Sequence, residues 1–295
     1  MHATYPAAVA LVDGDEVIEL RPTVPSYRNP IMLREYDFGA PAVRESTVDR
    51  EGADGVIDRS AFTGARTATF DLLVMGDEHN SAYTYVERLA AMTHPYRRPK
   101  VRVTRNTPES VGEQWEMTLA GGSHSLAYNR QSAGRLEMQL TFNAPDGYFI
   151  GPYRTYQSTR AEVISTTGLT MPVTLPLHFG TGLAENPFVT VTVGGSAPVA
   201  PVIYLYGPST NPEIRHDYGG RFKFNGLTIA SGSFVQIDMA NGTVYHAGVP
   251  SSSRFHLVDW SVSSFWRWFP GVQHVRYLAS TGFMVVQFRD RRITV

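Results

Sequence analysis

The chain has 295 residues, 42% apolar and 18% charged, with a formal net charge of −1. That is enough apolar material for a substantial core, which excludes global disorder, and near-neutrality argues against a non-specific nucleic-acid binder. Cysteine is absent, which excludes a disulfide scaffold, a Cys-ligated zinc or Fe–S site and a thiol nucleophile. The length suggests two domains, and so does the charge. Residues 1–150 carry 15 basic and 20 acidic residues, and residues 151–295 carry 11 and 7. Of the 26 basic residues only Lys100 and Lys223 are lysine, a bias that either a GC-rich genome or a need for planar, bidentate pairing would produce. No stretch reads as a membrane span of about 20 apolar residues. The start, Met-His-Ala-Thr-Tyr-Pro, lacks a basic segment followed by an apolar one, so synthesis in the cytoplasm is expected.

Most of the chain reads as strands. Apolar and polar residues alternate over Glu16–Leu20, Thr67–Val74, Val101–Thr104, Trp115–Leu119 and Leu136–Phe142, which places one face of each inward. Val12-Asp13-Gly14-Asp15 reads as a hairpin turn with Asp-Gly supplying the positive φ angles. Residues 39–66 mix charges with Gly52, Gly55 and Gly64. They form either a disordered loop or a long β-arm, and an arm that cannot bury its own apolar surface would rest on a partner chain. One helix is predicted over 81–93, capped by Asn80 or Ser81, with Tyr83, Val86, Leu89 and Ala90 on one face and Pro95 as its stop. Gly121-Gly122-Ser123-His124-Ser125 reads as a flexible connection between strands.

Segment 151–170 is rich in Ser and Thr, and a linker is placed at 156–170, between domains at 1–155 and 171–295. Short strands are then expected at Val173–Phe179, Phe188–Val193, Pro201–Tyr206, Arg221–Phe224, Ser233–Asp238, Thr243–His246, Ser264–Trp268, His274–Leu278 and Gly282–Phe288. Gly194-Gly195, Asn225-Gly226, Asn241-Gly242 and Pro270-Gly271 punctuate them. That spacing is the mark of a β-sandwich or jelly roll.

Motifs for chemistry are mostly missing. There is no phosphate-binding G-x-x-x-x-G-K-[ST], and Gly180-Thr181-Gly182 lacks the third glycine of a dinucleotide fingerprint. Nine histidines are scattered without metal-ligand spacing,. His216-Asp217 and His246 could converge in a jelly roll, but a surface or turn role suits each better. Asp13, Asp15 and Glu16 lack the later positions of a calcium loop. A hydrolase would need two carboxylates about 5–10 Å apart in one cleft, drawn from distant parts of the chain. No metal, cofactor or catalytic residue is assigned. The candidate site residues are Trp260, Trp266 and Trp268, in an aromatic run with Phe265 and Phe269. Such a run serves either as core and subunit contact or as a stacking face for sugars.

An ordered series of motifs carries a resemblance. It runs from Asn186 and Phe188–Val193 with Gly194-Gly195, through Val202–Pro208 and Pro212-Glu213-Ile214, to Phe224–Gly232 and Val235–Asp238 with Asn241-Gly242. It closes with Ser264-Phe265-Trp266, Phe269-Pro270-Gly271 and Val285–Asp290. The series resembles the C-terminal domain of siphophage distal tail proteins (Dit, or minor tail proteins). Gly52–Gly55, the alternating Arg66–Val74 and the helix at 81–93 resemble that family's tail-tube-like domain. Val272-Gln273-His274 departs from the family, which usually has Asn after Pro-Gly.

The resemblance implies a mainly β chain with two parts, a ring-forming tail-tube-like domain with one helix and a galectin-like sandwich. It implies a non-enzymatic virion component assembled in the host cytoplasm. The partners it implies are further copies in a ring (a hexamer), the tail tube, the tape measure protein, the hub or fibre proteins and DNA in passage. It implies no cofactor and no membrane insertion. A carbohydrate-binding module acting on host-surface glycans is the competing expectation.

Overall fold

The computed structural model describes residues 8–21, 30–49, 56–76, 79–107, 110–128, 135–158, 188–279 and 281–294. The expected strand Val173–Phe179 and most of the expected linker lie outside them, while Tyr156 and Gln157 belong to a strand. The chain is mainly β, and among the described residues there is one α-helix. It divides into two compact units, residues 1–152 with 292–295, and residues 153–291.

The first unit is built from β1 (Ala8–Asp13), β2 (Glu16–Leu20), β3 (Ile31–Asp37), β4 (Val43–Asp49), β5 (Val56–Thr63), β6 (Arg66–Met75), α1 (His79–Met92), β7 (Lys100–Thr107), β8 (Ser110–Thr118), β9 (Ala120–Tyr128), β10 (Arg135–Ala144) and the start of β11 (Phe149–Gln157). β2, β1, β7 and β8 lie side by side, and β3, β6, β10 and β9 form a separate antiparallel sheet. Period-two patterning explains the packing. Leu136, Met138, Leu140 and Phe142 of β10 and Ala68, Phe70, Leu72 and Val74 of β6 point into a core shared with Leu11, Val101 and Trp115 from the other sheet,. Ala82, Val86, Leu89 and Met92 of α1 complete that core at helical spacing,.

Three sequence expectations change here. The β1–β2 hairpin has the expected position, but of its two loop residues only Gly14 takes a positive φ, 61°. Asp13 instead ends β1 and pairs with Glu16. The helix begins at His79, so Asn80 and Ser81 lie inside its first turn and the cap falls outside the described residues. Gly121–Ser125 is not a connection. It is the interior of β9, paired along β10, and glycine is there for space. A Cβ on Gly122 would stand 2.4 Å from the Thr141 carbonyl oxygen, so the absence of side chains lets β9 lie close against its neighbour. Within the segment expected to be a loop or an arm, the described residues are strands: β4 and β5 pair with each other in a two-stranded sheet of their own.

The second unit holds the end of β11 and β12 (Phe188–Val193), β13 (Val202–Tyr206), β14 (Ser209–Thr210), β15 (Glu213–His216), β16 (Arg221–Lys223), β17 (Thr228–Ile229), β18 (Phe234–Asp238), β19 (Thr243–His246), β20 (Gly271–Leu278) and β21 (Phe283–Arg292). One sheet runs β19-β18-β13-β21 and on to β11, and the other runs β12-β20-β15-β16. Ile203, Leu205, Ile237 and Val286 from the first meet Val191, Ile214, Phe222 and Val275 from the second in one core. Two sheets sharing one apolar layer make a β-sandwich. The expected strand at Ser264–Trp268 is absent. The segment runs irregularly, with one β-bridge from Trp268 to Val199 and a hydrogen bond from the Ser264 N–H to the Arg221 carbonyl.

Candidate assembly surfaces

The outward face of the β3-β6-β10-β9 sheet is the first candidate surface. Register aligns Glu35, Asp71, Gln139 and Ser125 in one row, and Asp37, Thr69, Thr141 and Ser123 in the next. An open groove of about 500 Å³ runs over this face. Within it Arg34 pairs with Glu137 at 2.8 Å and Gln139 Nε2 donates to Asp71 at 2.7 Å. The described residues of the face carry four acids (Glu35, Asp37, Asp71, Glu137) against Arg34 and Arg135, among short Ser, Thr and Asn side chains. Such a face is hydrated and weakly repels phosphate.

The predicted tryptophans do not share one surface. Trp268 is fully buried, with its ring edge-on to Phe288 at 5.6 Å. Trp266 is half-buried, its ring parallel to His216 at 6.3 Å. Trp260 alone keeps a large exposed part, 41%, beside Phe255. The irregular backbone explains the split: without strand geometry, alternation does not put 266 and 268 on one face.

Buried polar groups hold the second unit together, and sequence reading passed over most of them. Glu213 on β15 is buried and accepts from Arg221 (2.7 and 3.0 Å) and from Arg215. Burial alone would raise its pKa, but the two guanidinium groups outweigh that and hold the carboxyl below the usual range,. His216, which could have met His246, is instead bonded to Gln273 Oε1 at 2.8 Å, while His246 meets the Ser233 hydroxyl. Gln273 Nε2 donates to the Phe269 carbonyl, so its oxygen accepts from the imidazole, and burial pushes the His216 pKa down. Asp290 on β21 accepts from the Gly194 N–H at 2.8 Å and pairs with Arg154 at 3.2 Å. The one available signal was Asp290 itself, a polar residue in phase with Met284, Val286 and Phe288. Among the described residues, no three His, Asp or Glu side chains are grouped so as to hold a metal ion.

No family model and no curated protein matches the sequence. Solved structures do match. The SPP1 Dit protein, a paradigm of the hub adsorption apparatus in phages infecting Gram-positive bacteria, aligns with a TM-score of 0.60 at 13% identity, over 96% of this chain and 98% of its own. The chain has the Dit fold. A chain of the phage P2 baseplate in its calcium-activated conformation aligns at a TM-score of 0.47 and 11% identity, over 98% of this chain and 99% of its own. The strontium form of that baseplate gives 0.43 and 12%, over 95% and 97%. At these identities the likeness is one of fold. The likeness to SPP1 Dit extends over 96% of this chain.

Proposed function

We propose that this chain is a distal tail protein of a siphophage: a non-enzymatic structural part of the tail tip that forms a ring, a hexamer, joining the tail tube to the hub or fibre proteins. The observation that carries the reading is the fold match to SPP1 Dit over nearly the full length of both chains. The residue series at 186–290 points the same way independently. In this reading residues 1–155 make the ring, 156–170 link, and 171–295 form an outer galectin-like sandwich in a virion assembled in the host cytoplasm. The tape measure protein and DNA in transit are its further neighbours.

Two surfaces suit these roles. The acid-leaning sheet face bearing Glu35, Asp71 and Glu137 suits a bore, because a lining that bound phosphates would hold DNA rather than pass it. The β4–β5 hairpin has the length and separate pairing of an arm that reaches a neighbouring copy. The test is negative-stain imaging of the purified chain, with light scattering, alone and mixed with its tail tube protein. Rings with a central hole are expected. A monomer under both conditions at high concentration overturns the proposal.

A further inference from the structure

Two Asn-Gly pairs occur in the chain, Asn225-Gly226 and Asn241-Gly242. Both asparagines are exposed, between strands of the second unit. Glycine has no Cβ to obstruct its nitrogen, which can approach the carbonyl carbon of the preceding side chain. The fold treats the two glycine nitrogens differently. The Gly226 N–H donates to Asn211 Oδ1 at 2.7 Å. Asn225 itself is held on both sides, its Nδ2 donating to Asp259 at 3.2 Å and its backbone N–H to the Leu257 carbonyl at 2.8 Å. The Gly242 N–H, by contrast, has no hydrogen-bond partner among the described residues. The Asp238 carboxylate accepts from the Asn241 N–H at 3.0 Å and from Asn241 Nδ2 at 2.7 Å. Those bonds hold the asparagine in its turn and leave the glycine nitrogen free.

We infer that Asn241 is a site of spontaneous deamidation through Gly242, and that the fold protects Asn225 from the same reaction. The Gly242 backbone nitrogen gives up its proton to hydroxide and bonds to Cγ of Asn241. The Cγ–Nδ2 bond breaks, and the amide nitrogen leaves as ammonia after taking a proton from water. Water then opens the succinimide at either carbonyl, which leaves aspartate or isoaspartate at 241. At Asn225 the same attack must first break the Gly226 bond to Asn211. The product matters to the β18–β19 turn. A carboxylate at 241 has no proton to donate to Asp238 and faces it as a like charge. The isoaspartate route also lengthens the backbone beside Gly242, where a Cβ would already lie 3.5 Å from the Phe265 ring. The assignment rests on these two turns and not on the tail-tip reading.

The full chain is incubated at mildly alkaline pH in heavy-oxygen water, both native and unfolded in urea, and peptide mass spectrometry follows the label at each asparagine over time. In urea the two positions should convert at similar rates. In the native chain Asn241 should convert on the order of tenfold faster than Asn225, which is about 1.4 kcal/mol of barrier and the scale of one hydrogen bond. Asn211→Gly removes the acceptor and suits the φ of 47° at that position. It should raise the rate at Asn225 several-fold and leave Asn241 unchanged. Asn241→Gln, whose longer side chain closes the ring poorly, should show no label at 241, and circular dichroism confirms that each variant is folded. Equal native rates at the two positions, or a faster Asn225, overturn the inference. So does a folded Asn211→Gly chain that keeps the original rate at Asn225. A native chain unlabelled at Asn241 over the time that converts the unfolded chain overturns it as well.

Discussion

Replacing Asp290 separates what its carboxylate does for the sandwich. The side chain is 3% exposed and faces two donors, the Gly194 N–H at 2.8 Å and Arg154 Nε at 3.2 Å. A Cβ on Gly194 would lie 2.9 Å from the carboxylate, so the glycine permits the approach. Asp290→Ala strands the half-buried Gly194 N–H, which costs about 1–3 kcal/mol at most,. It also breaks an ion pair whose arginine is 43% exposed, worth about 0–1 kcal/mol after solvent screening. The expected loss is therefore about 1–4 kcal/mol. Asp290→Asn keeps an acceptor for the N–H and forfeits only the charge, so it should lose about 1 kcal/mol. Urea unfolding followed by tryptophan fluorescence reads the right unit, since Trp260, Trp266 and Trp268 lie in 153–291 and only Trp115 lies elsewhere. Equal losses for the two variants would refute the argument, because the N–H would then not be what the carboxylate serves. A loss below about 0.5 kcal/mol for Asp290→Ala would refute it too.

Glu213 gives a pH signature. Burial pushes its carboxyl up, but hydrogen bonds and charge from Arg221 and Arg215 carry it below the usual range. Its stabilising contribution is thus complete above the unfolded value of about 4.3 and is lost as pH falls through the lower folded value. Between pH 6 and pH 3 the urea midpoint should fall further for the native protein than for Glu213→Gln, and parallel profiles would contradict this. Trp268→Ala should cost about 3–5 kcal/mol by opening a cavity in the core, and Trp260→Ala less, because its ring is 41% exposed; similar midpoints would show the two sites misjudged. Gly122→Val drives a side chain against the Thr141 carbonyl and should cost about 2 kcal/mol or more. The exposed Ser123→Ala should stay within about 0.5 kcal/mol, as thermal denaturation can measure.

Regular strands were legible because a half-buried strand writes its geometry into alternation. β2, β6, β10, β12 and β19 stand where Glu16, Thr67, Leu136, Phe188 and Thr243 announced them. The failures have physical causes of one kind. Gly121 and Gly122 have no side chains with which to alternate, so β9 read as a connection, and only the neighbouring strand reveals why glycine is needed there. Ser264–Trp268 alternates in sequence but lacks a partner strand, and alternation without a ladder does not make a strand. The site was less legible than the fold. Glu213, Arg215 and Arg221 are ordinary charges in sequence and become a network around the buried Glu213 carboxylate only when β15 pairs with β16. The Asp259–Asn225 bond links residues 34 apart in the chain, and no local pattern encodes it.

The outward sheet faces of the two units differ in a way that bears on what each can touch. In the first unit that face is mostly polar, with Thr, Ser, Gln, acids and two arginines around Leu73, Met75 and Ala127. Burying it against a partner would strip water from groups that the partner would have to re-bond one by one, so it is suited to staying wet. In the second unit the outward positions of β13, β18 and β21 bring Tyr204, Tyr206, Phe234 and Phe283 together, with Tyr206 and Phe283 stacked at 4.6 Å. The Tyr206 and Phe283 rings lie nearly parallel and Phe234 is tilted against Tyr206, an apolar arrangement that suits packing against side chains,.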